Sequence, residues 1–571
     1  MPSAIQAIAL DYDGTLTETD SLTAETLEAV RETRRRGQAV LLVTGRILSE
    51  LRAVFPAVEK EFDAIVAENG AVLADADGIR DLATPVDPAL ARALTHRDIP
   101  VRQGRVLLAC DTEHLGAVFE EIARLDVDCQ VVRNRAAMMV LPGGVTKGTG
   151  LQQALGNLGI SRHSTLAVGD AENDHALLEA CELGVAVANA VDALKRGADL
   201  VLPAADGAAV TALLRGPIVG GTETLRPRKY RLTLGRDAQG NPVRIPASQV
   251  NLLLAGASCS GKSYLAGLLV EQLVRMSYSV LVVDLEGDHQ GLVDRRGILG
   301  VGGPEPLPST AHLTALLRHR FGSVVLDLSR HDPDEQQAYL FEIAPAIMAQ
   351  RAVTGLPHWI FFEEAQTLPL GLGLWGDAIR AGERGFCFST FRPDRLPEVV
   401  GRAVDHVVFT EGEGSGAEEA LRYVVRASGQ TEDRIVSGGA RGAATLIDAS
   451  QTEPPTRFVV GRRSSGHVRH WHKYIDGQLP EPLRFYFASA DQGQVAGNLR
   501  EFHRKLGTCQ PVTIDEHARR HDFSRWIGEV LKDRELTELV AHAERRLRAG
   551  EHSHDALRDA VQLAIEARYL E

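Results

Sequence analysis

Short, unbroken apolar runs alternate with stretches of helical period along most of this chain. The runs AIALDYDG, AVLLVTG, TLAVGD, VNLLLAGA, SVLVVDLEG, SVVLDLS and WIFFEEA each pass from aliphatic residues into Gly, Thr, Ser or a carboxylate. Apolar runs without a two-residue alternation predict strands buried on both faces, that is, parallel strands joined by crossover helices. This is α/β architecture, in which active sites form where the strands run out. The pattern breaks near 216–229, GPIVGGTETLRPRK, a Gly- and Pro-rich stretch without helical period. It breaks again near 461–466, GRRSSG, after the strand-like RFVVG. The tail beyond mixes strands with charged helices such as RELTELVAHAERRLRAG.

The 571 residues suffice for about four structural units at roughly 150 residues each. Apolar residues make up 44% of the chain, which excludes a wholly disordered protein. No apolar run reaches the roughly 18 residues of a membrane span. The chain begins with a strand pattern instead of a signal peptide. Its six cysteines form no CxxC pair, which points away from a disulfide framework and toward a reducing, cytoplasmic setting. The 62 basic and 76 acidic residues give a net charge of −14, and most of the excess acid lies before residue 216. That part would repel a polyanion. The remainder is near neutral, so charge leaves DNA possible as a partner without supporting it.

Candidate chemistry sits at the strand ends. Asp11 and Asp13 follow the strand IQAIAL in DYDGTLT, and Gly14 lets the chain turn away. A carboxylate attacks phosphorus only if the repulsion between two anions is neutralised, which calls for a metal ion and a cation. Thr44 in AVLLVTGR, Lys147 at the start of a helix in GGVTKGTGL, and Asp170 and Asp174 in LAVGDAENDHALL complete the set. In order, residue type and context these pieces resemble the haloacid dehalogenase (HAD) phosphatases over about residues 1–215. The resemblance implies a HAD Rossmann-like core over 1–79 and 146–215. It makes Asp11 the nucleophile that forms an aspartyl-phosphate and Asp13 the general acid and then base. Thr44 and Lys147 would hold phosphoryl oxygens. Mg²⁺ would be ligated by Asp11, Asp13 (through its carbonyl), Asp170 and Asp174, with Asn173 orienting neighbouring groups. The segment 80–145 resembles a type IIB α/β cap, whose owners mostly act on phosphorylated sugars and similar small phosphomonoesters. Arg102, Arg105, Arg133 and Arg135 lie in it; some of them could clamp a second anionic group of the substrate, although a solvated face fits them better. Asn69 in AENGA is either a turn residue or part of a substrate loop.

A second phosphate site is written into VNLLLAGASCSGKS. An apolar strand leads into Gly256, Ala257, Ser258, Cys259, Ser260, Gly261, Lys262 and Ser263, and a helical pattern follows. This is GxxxxGK[ST] in strand–loop–helix context, in which backbone N–H groups and a helix N-terminus cradle phosphates. Lys262 then reaches the β/γ-phosphates of ATP and Ser263 reaches Mg²⁺. Glu363 and Glu364 follow the strand WIFFEEAQ, as a Mg²⁺-shell residue and the group that polarises attacking water. The segment 230–463, after the linker 216–229, resembles HerA/FtsK-like ATPases. It does so through the hairpin LTLGRDAQGNPVRIP and through VLVVDLEGDH, FFEEAQ, RAGERGFCFSTFRPDRLP and HVVFTEG. The resemblance implies a RecA/HerA-like P-loop domain, a hexameric ring, and an arginine supplied between subunits, for which Arg380 or Arg384 stands as candidate. Two departures stand out: Phe391 occupies the usual place of a Gln before Arg-Pro, and Glu363 that of an Asp.

The C-terminal unit, 464–571, resembles a small α+β domain family of unknown function. In it His467, His470 and His472 stand at a spacing that a metal could use, although a surface or interface segment fits that composition better. The whole reads as a Mg²⁺-dependent phosphatase for a small phosphorylated substrate, fused to an ATP-binding and ATP-hydrolysing domain. A DNA-associated motor or defence-type protein with a HAD effector, and a polynucleotide kinase-phosphatase, are the alternatives.

Overall fold

Two large sheets arise from the apolar runs, one before and one after the Gly/Pro-rich break. The computed structural model describes residues 5–570 apart from 18–20, 135–136, 259, 294, 320–321, 413–416, 430, 436–441, 451–452, 466–474, 476–478, 480, 489–490 and 532. Cys259, Arg135 and the three tail histidines therefore lie outside the described residues.

The first sheet contains β1 (Ala7–Leu10), β2 (Ala39–Val43), β3 (Ala64–Ala67), β4 (Val72–Asp75) and β5 (Gly78–Asp81). A cap follows, with β6 (Arg102–Gln103), β7 (Leu108–Asp111), β8 (Gln130–Asn134) and β9 (Ala137–Leu141), and then β10 (Thr165–Gly169), β11 (Leu183–Ala186) and β12 (Leu200–Val201) rejoin the first sheet. The order is β12-β11-β10-β1-β2-β3-β4-β5. The six strands from β12 to β3 are parallel, and β4 and β5 return antiparallel. All four residues of β1 are fully buried, as a central strand covered on both faces requires. The core sheet runs to Asp81, so the expected start of the cap at residue 80 falls inside β5.

The cap strands form a separate antiparallel sheet, β6-β7-β9-β8. Their alternation sorts the two faces. Leu108, Cys110, Met138 and Val140 pack on the cap helices Pro88–His96 and Leu115–Leu125 through Leu90, Leu94 and Val118. Leu107, Ala109, Met139 and Leu141, with Val132, join the apolar core of the first sheet instead.

The second sheet holds β13 (Arg231–Arg236), β14 (Pro242–Pro246), β15 (Leu252–Gly256), β16 (Val280–Asp284), β17 (Ile298–Gly302) and β18 (Ser323–Asp327). It continues through β19 (Trp359–Phe362), β20 (Phe386–Thr390), β21 (His406–Thr410), β22 (Ala443–Asp448) and β23 (Thr456–Val460). Seven strands, in the order β21-β15-β20-β19-β16-β18-β17, are parallel. The hairpins β22–β23 and β13–β14 extend the β21 edge antiparallel. The tail pairs β24 (Phe485–Tyr486) with β25 (Val495–Ala496) and wraps helices around Phe485, Phe487, Phe502, Phe523 and Trp526.

The α/β units meet through a buried polar cluster. Glu182 is 2% exposed. Its carboxylate lies 2.6 Å from His163 Nδ1 and accepts the Tyr278 hydroxyl at 2.9 and 3.0 Å and the Ser248 hydroxyl. The His163 ring stacks on Tyr278 with centroids 3.7 Å apart. His358 Nε2 lies 2.7 Å from Ser161 Oγ, and its Nδ1 accepts the Ser279 N–H at 2.8 Å. Burial pushes the His358 pKa well below the usual imidazole range, so this ring is neutral at pH 7. At the other end of the second α/β unit, Glu271 accepts N–H and hydroxyl hydrogen bonds from Ser464 and Ser465. This ties the second expected boundary to the helix Lys262–Arg275.

Two stability predictions follow from these carboxylates. Glu182→Ala leaves three buried donors without an acceptor and is expected to cost about 3 kcal/mol, whereas Glu182→Gln is expected to cost less. A urea titration in which the two variants match the wild type would remove the cluster's role. For Glu271, burial acts to raise the pKa, but the Ser464 and Ser465 hydrogen bonds outweigh it and hold the pKa at about 2. An unfolded Glu titrates near 4.5, so this contribution to stability is present above that pH and is lost as pH falls toward 2. The stability gap between wild type and Glu271→Gln should accordingly narrow between pH 4.5 and 2, and a gap independent of pH would contradict the assignment.

Candidate functional site

Strand β1 delivers Asp11 to the exit edge of the first sheet, and β10 delivers Asp170 beside it through the register Leu10↔Val168. Lys147 opens the helix Lys147–Leu158, whose N-cap is Thr146 in a capping box with Thr149. The Lys147 Nζ lies 2.5 Å from both Asp11 Oδ1 and Asp174 Oδ1. Asp174 Oδ2 accepts the N–H groups of Asp170 and Ala171 at 2.9 and 3.0 Å, which shapes the turn after β10. Asp11, Asp170 and Asp174 are buried and present oxygens within 4.8 Å of one another. One ammonium thus bonds two of three clustered carboxylates. Burial first, and then Asp174, push the Asp11 pKa well above the usual range against the opposing pull of Lys147. Burial acts to lower the Lys147 pKa, but Asp11 and Asp174 outweigh it and keep this side chain charged. An all-oxygen donor set with excess negative charge suits a hard divalent cation.

Close approach of the Lys147 helix depends on glycine. A Cβ on Gly150 would fall 2.6 Å from Gly70 Cα and 2.7 Å from Gly70 O. Gly70 itself has φ +105°, and a Cβ there would fall 1.9 Å from Thr146 O. The preceding Asn69 is buried and left-handed (φ 56°), and its Oδ1 accepts Asn173 Nδ2 at 3.2 Å. AENGA is therefore both a turn and a wall of the site. Thr44 is fully buried and accepts the Arg46 N–H at 3.1 Å.

The structure places Asp13 apart from the three clustered carboxylates. Its side chain is held by Arg46 in a forked pair at 2.5–3.0 Å, and Arg46 lies 5.0 Å over the Tyr12 ring. Sequence reading missed Arg46, although its place two residues after Thr44 in a strand-end turn was the available signal. It also missed Glu68, whose buried carboxylate accepts the N–H groups of Arg105, Val106 and Leu107 at 2.9–3.2 Å and so pins the cap to the core.

Of the cap arginines, the described ones, Arg102, Arg105 and Arg133, do not converge on the site. Arg102 pairs with Glu50 at 3.1 Å and Arg105 with Asp81 at 2.6 Å. Arg133 sits opposite Met138 in the register, on the face turned to the cap helices. The cap instead brings Met139 Sδ to 3.4 Å from where a Gly45 Cβ would stand, beside Asn173 Nδ2 at 3.5 Å. The roof next to this side of the site is apolar.

In the second unit, β15 leads into Gly256, and the helix Lys262–Arg275 starts after Gly261. Lys262 Nζ donates to the carbonyls of Gly256 and Ala257 at 3.2 and 2.8 Å, and the Ser260 and Thr410 hydroxyls are 2.5 Å apart. Ala257 is buried and Ser258 half-buried in the same loop. Ser263 Oγ donates to Glu363 Oε2 at 3.4 Å, while Glu363 Oε1 faces His289 Nε2 at 3.0 Å. The longer Glu at this position thus reaches the helix N-terminus. Burial acts to lower the pKa of His289, but Glu363 outweighs it and raises it overall. Glu364 takes a left-handed conformation (φ 46°), and burial foremost, then Glu286, lifts its pKa to about 7. Arg380 pairs with Asp377 at 2.6 Å and Arg384 with Asp405 at 3.1 Å, so both proposed ring arginines are engaged within the chain.

Residues 8–94 and 101–214 match the haloacid dehalogenase-like hydrolase family. The chain is 34% identical over 217 residues to the phosphoglycolate phosphatase of Methanothermobacter thermautotrophicus, covering 98% of that protein and 37% of this one. It is 30% identical to that of Methanopyrus kandleri, with 95% and 36% covered. Among solved structures, a haloacid dehalogenase-like hydrolase from B. subtilis aligns with a TM-score of 0.32 at 21% identity, over 99% of that chain and 37% of this one. Through its N-terminal unit this chain belongs to the haloacid dehalogenase-like hydrolases, and that unit is a HAD-type phosphatase. No described helix is long and apolar enough to cross a membrane.

The glycine contact yields a test. Gly150→Ala gains helix propensity of up to about 1 kcal/mol, but it drives a methyl group into backbone, and overpacking of that kind costs roughly 1–3 kcal/mol. We expect a lower melting temperature and a loss of phosphatase turnover as Lys147 is displaced; unchanged turnover would show that the helix can shift without moving the ammonium.

Proposed function

We propose that the N-terminal unit is a Mg²⁺-dependent phosphatase for a small, acidic phosphomonoester, a phosphorylated sugar or related metabolite, with 2-phosphoglycolate the first substrate to try. The observation that carries this reading is the Lys147 ammonium at 2.5 Å from both Asp11 and Asp174, with Asp170 alongside, all buried. The named activity of the archaeal relatives supports the substrate.

Asp11 attacks phosphorus, the bond from phosphorus to the leaving oxygen breaks, and Asp13 supplies that oxygen with a proton. Asp13 then takes a proton from water, whose oxygen attacks the same phosphorus and frees Asp11 and inorganic phosphate. Arg46 keeps the Asp13 carboxylate aimed between these two roles. Thr44 and Lys147 hold the phosphoryl oxygens. Asp11, Asp170 and Asp174, with the Asp13 carbonyl, would hold Mg²⁺, which supplies positive charge where two anions must meet.

The second unit, in the same proposal, binds and hydrolyses ATP. The loop 256–263 takes the phosphates, Lys262 their charge, Ser263 and Glu363 the accompanying Mg²⁺, and Glu364 the attacking water. The Ser263–Glu363 contact at 3.4 Å supports this reading, since it joins the two groups that share that ion.

Separate variants test the two halves. Asp11→Asn should reduce phosphoglycolate hydrolysis by at least about a thousandfold and leave ATP binding intact. Lys262→Ala should abolish ATP binding and leave the phosphatase. Saturating Mg²⁺ should raise the melting temperature of the wild type, in line with about 2.7 kcal/mol at a hundredfold excess over Kd, and should do so less for Asp170→Asn. A phosphatase that survives Asp11→Asn, or that needs no divalent ion, refutes the first half; ATP binding unaffected by Lys262→Ala refutes the second.

A further inference from the structure

The turn after β19 carries a hydrogen-bonded chain that the ATPase reading does not use. Thr390, the last residue of β20, is fully buried. Its hydroxyl donates to Gln366 Oε1 at 2.5 Å and accepts the Arg392 N–H at 2.9 Å. Gln366, in the short turn Ala365–Thr367, donates from Nε2 to Glu364 Oε2 at 2.6 Å. The direction of the chain is fixed: a hydroxyl on Oε1 leaves only the amide nitrogen to face the carboxylate. Strand β20 lies between the strand of the phosphate loop and the strand of the two glutamates, with Ala255↔Thr390 and Phe362↔Phe388 in register. Thr390 therefore pairs with the strand that leads into the phosphate loop and, through one amide, reaches Glu364.

We propose that Gln366 and Thr390 are positioning residues for ATP hydrolysis, forming a relay from β20 that aims the Glu364 carboxylate at the attacking water. The proposal rests on the ATPase reading above. It assigns to Gln366, on the neighbouring turn, the polar link that Phe391 cannot provide from β20. Glu364 itself leaves the strand with a left-handed backbone (φ 46°), and Gln366 holds its carboxylate. In the step it serves, the water oxygen bonds to the γ-phosphorus as the bond from that phosphorus to the β–γ bridging oxygen breaks. The electron pair leaves with ADP, and the water proton ends on the released phosphate. A carboxylate misplaced by an ångström costs such a reaction up to about a hundredfold.

The test uses the full chain with Mg²⁺ and ATP, a fluorescent ATP analogue for affinity, and phosphatase activity as a check on folding. Gln366→Ala and Thr390→Val should each lower kcat by about tenfold to a hundredfold while KM and analogue affinity stay within about twofold. Thr390→Ser, which keeps the hydroxyl, should restore most of the rate. The double variant should lose no more than the worse single one, since both break one chain. Variants that hydrolyse ATP like the wild type, losses carried by KM and affinity, or losses that multiply in the double variant overturn the relay alone. A wild type that turns over no faster than Lys262→Ala overturns the ATPase reading and the relay with it.

Discussion

Charge without water organises the phosphatase end of this molecule. Asp11, Asp170 and Asp174 sit where the sheet has run out and solvent does not reach. Lys147 is the ammonium that bonds two of them. Three carboxylates held this close repel one another unless cations are placed among them with little freedom to move. The surrounding structure can be read as the means of that placement. A capping box starts the helix at Lys147, two glycines let the helix lie backbone to backbone against the 68–70 turn, and Asp174 spends its second oxygen on the N–H groups after β10.

The second α/β unit also gathers buried carboxylates at its strand ends, with different partners. Glu363 divides its two oxygens between Ser263 and His289, and Asp284, at the end of β16, collects the N–H groups of residues 286–289. In both units the strands are featureless apolar ladders, and specificity resides in the two or three residues that follow each strand. The units are joined at the opposite ends of those ladders. Glu182, His163, Tyr278 and His358 cluster near the starts of β10, β16 and β19, whose far ends carry Asp170, Asp284 and Glu363. A joint so placed keeps the contact between the units away from both strand-exit edges.

The cap meets the core through an apolar face. Four arginines in the cap segment invited the idea of a second anion clamp, but Arg102 and Arg105 are matched by acidic partners and Arg133 lies on the far face. Met139, Val132 and Leu141 dock the cap on the core instead, and Glu68 fastens one of its turns. A strand of period two hides this choice, because which alternate set faces the core depends on how the cap folds back.

From residues alone came the alternation of buried strands and helices, the two phosphate-directed loops, and the Asp, Lys and Thr positions at strand ends. These are local facts, since a strand's burial and a glycine-rich turn are written in adjacent residues. The folded chain decided what no neighbouring residues encode: that Asp13 belongs to Arg46, that Asn69 is both turn and wall, that Arg102 and Arg105 of the cap pair with Glu50 and Asp81, and that Gln366 links Thr390 to Glu364. Each of these depends on distances between residues far apart along the chain, or on which side of a sheet a side chain leaves. Such distances are set by packing, which a linear pattern does not contain.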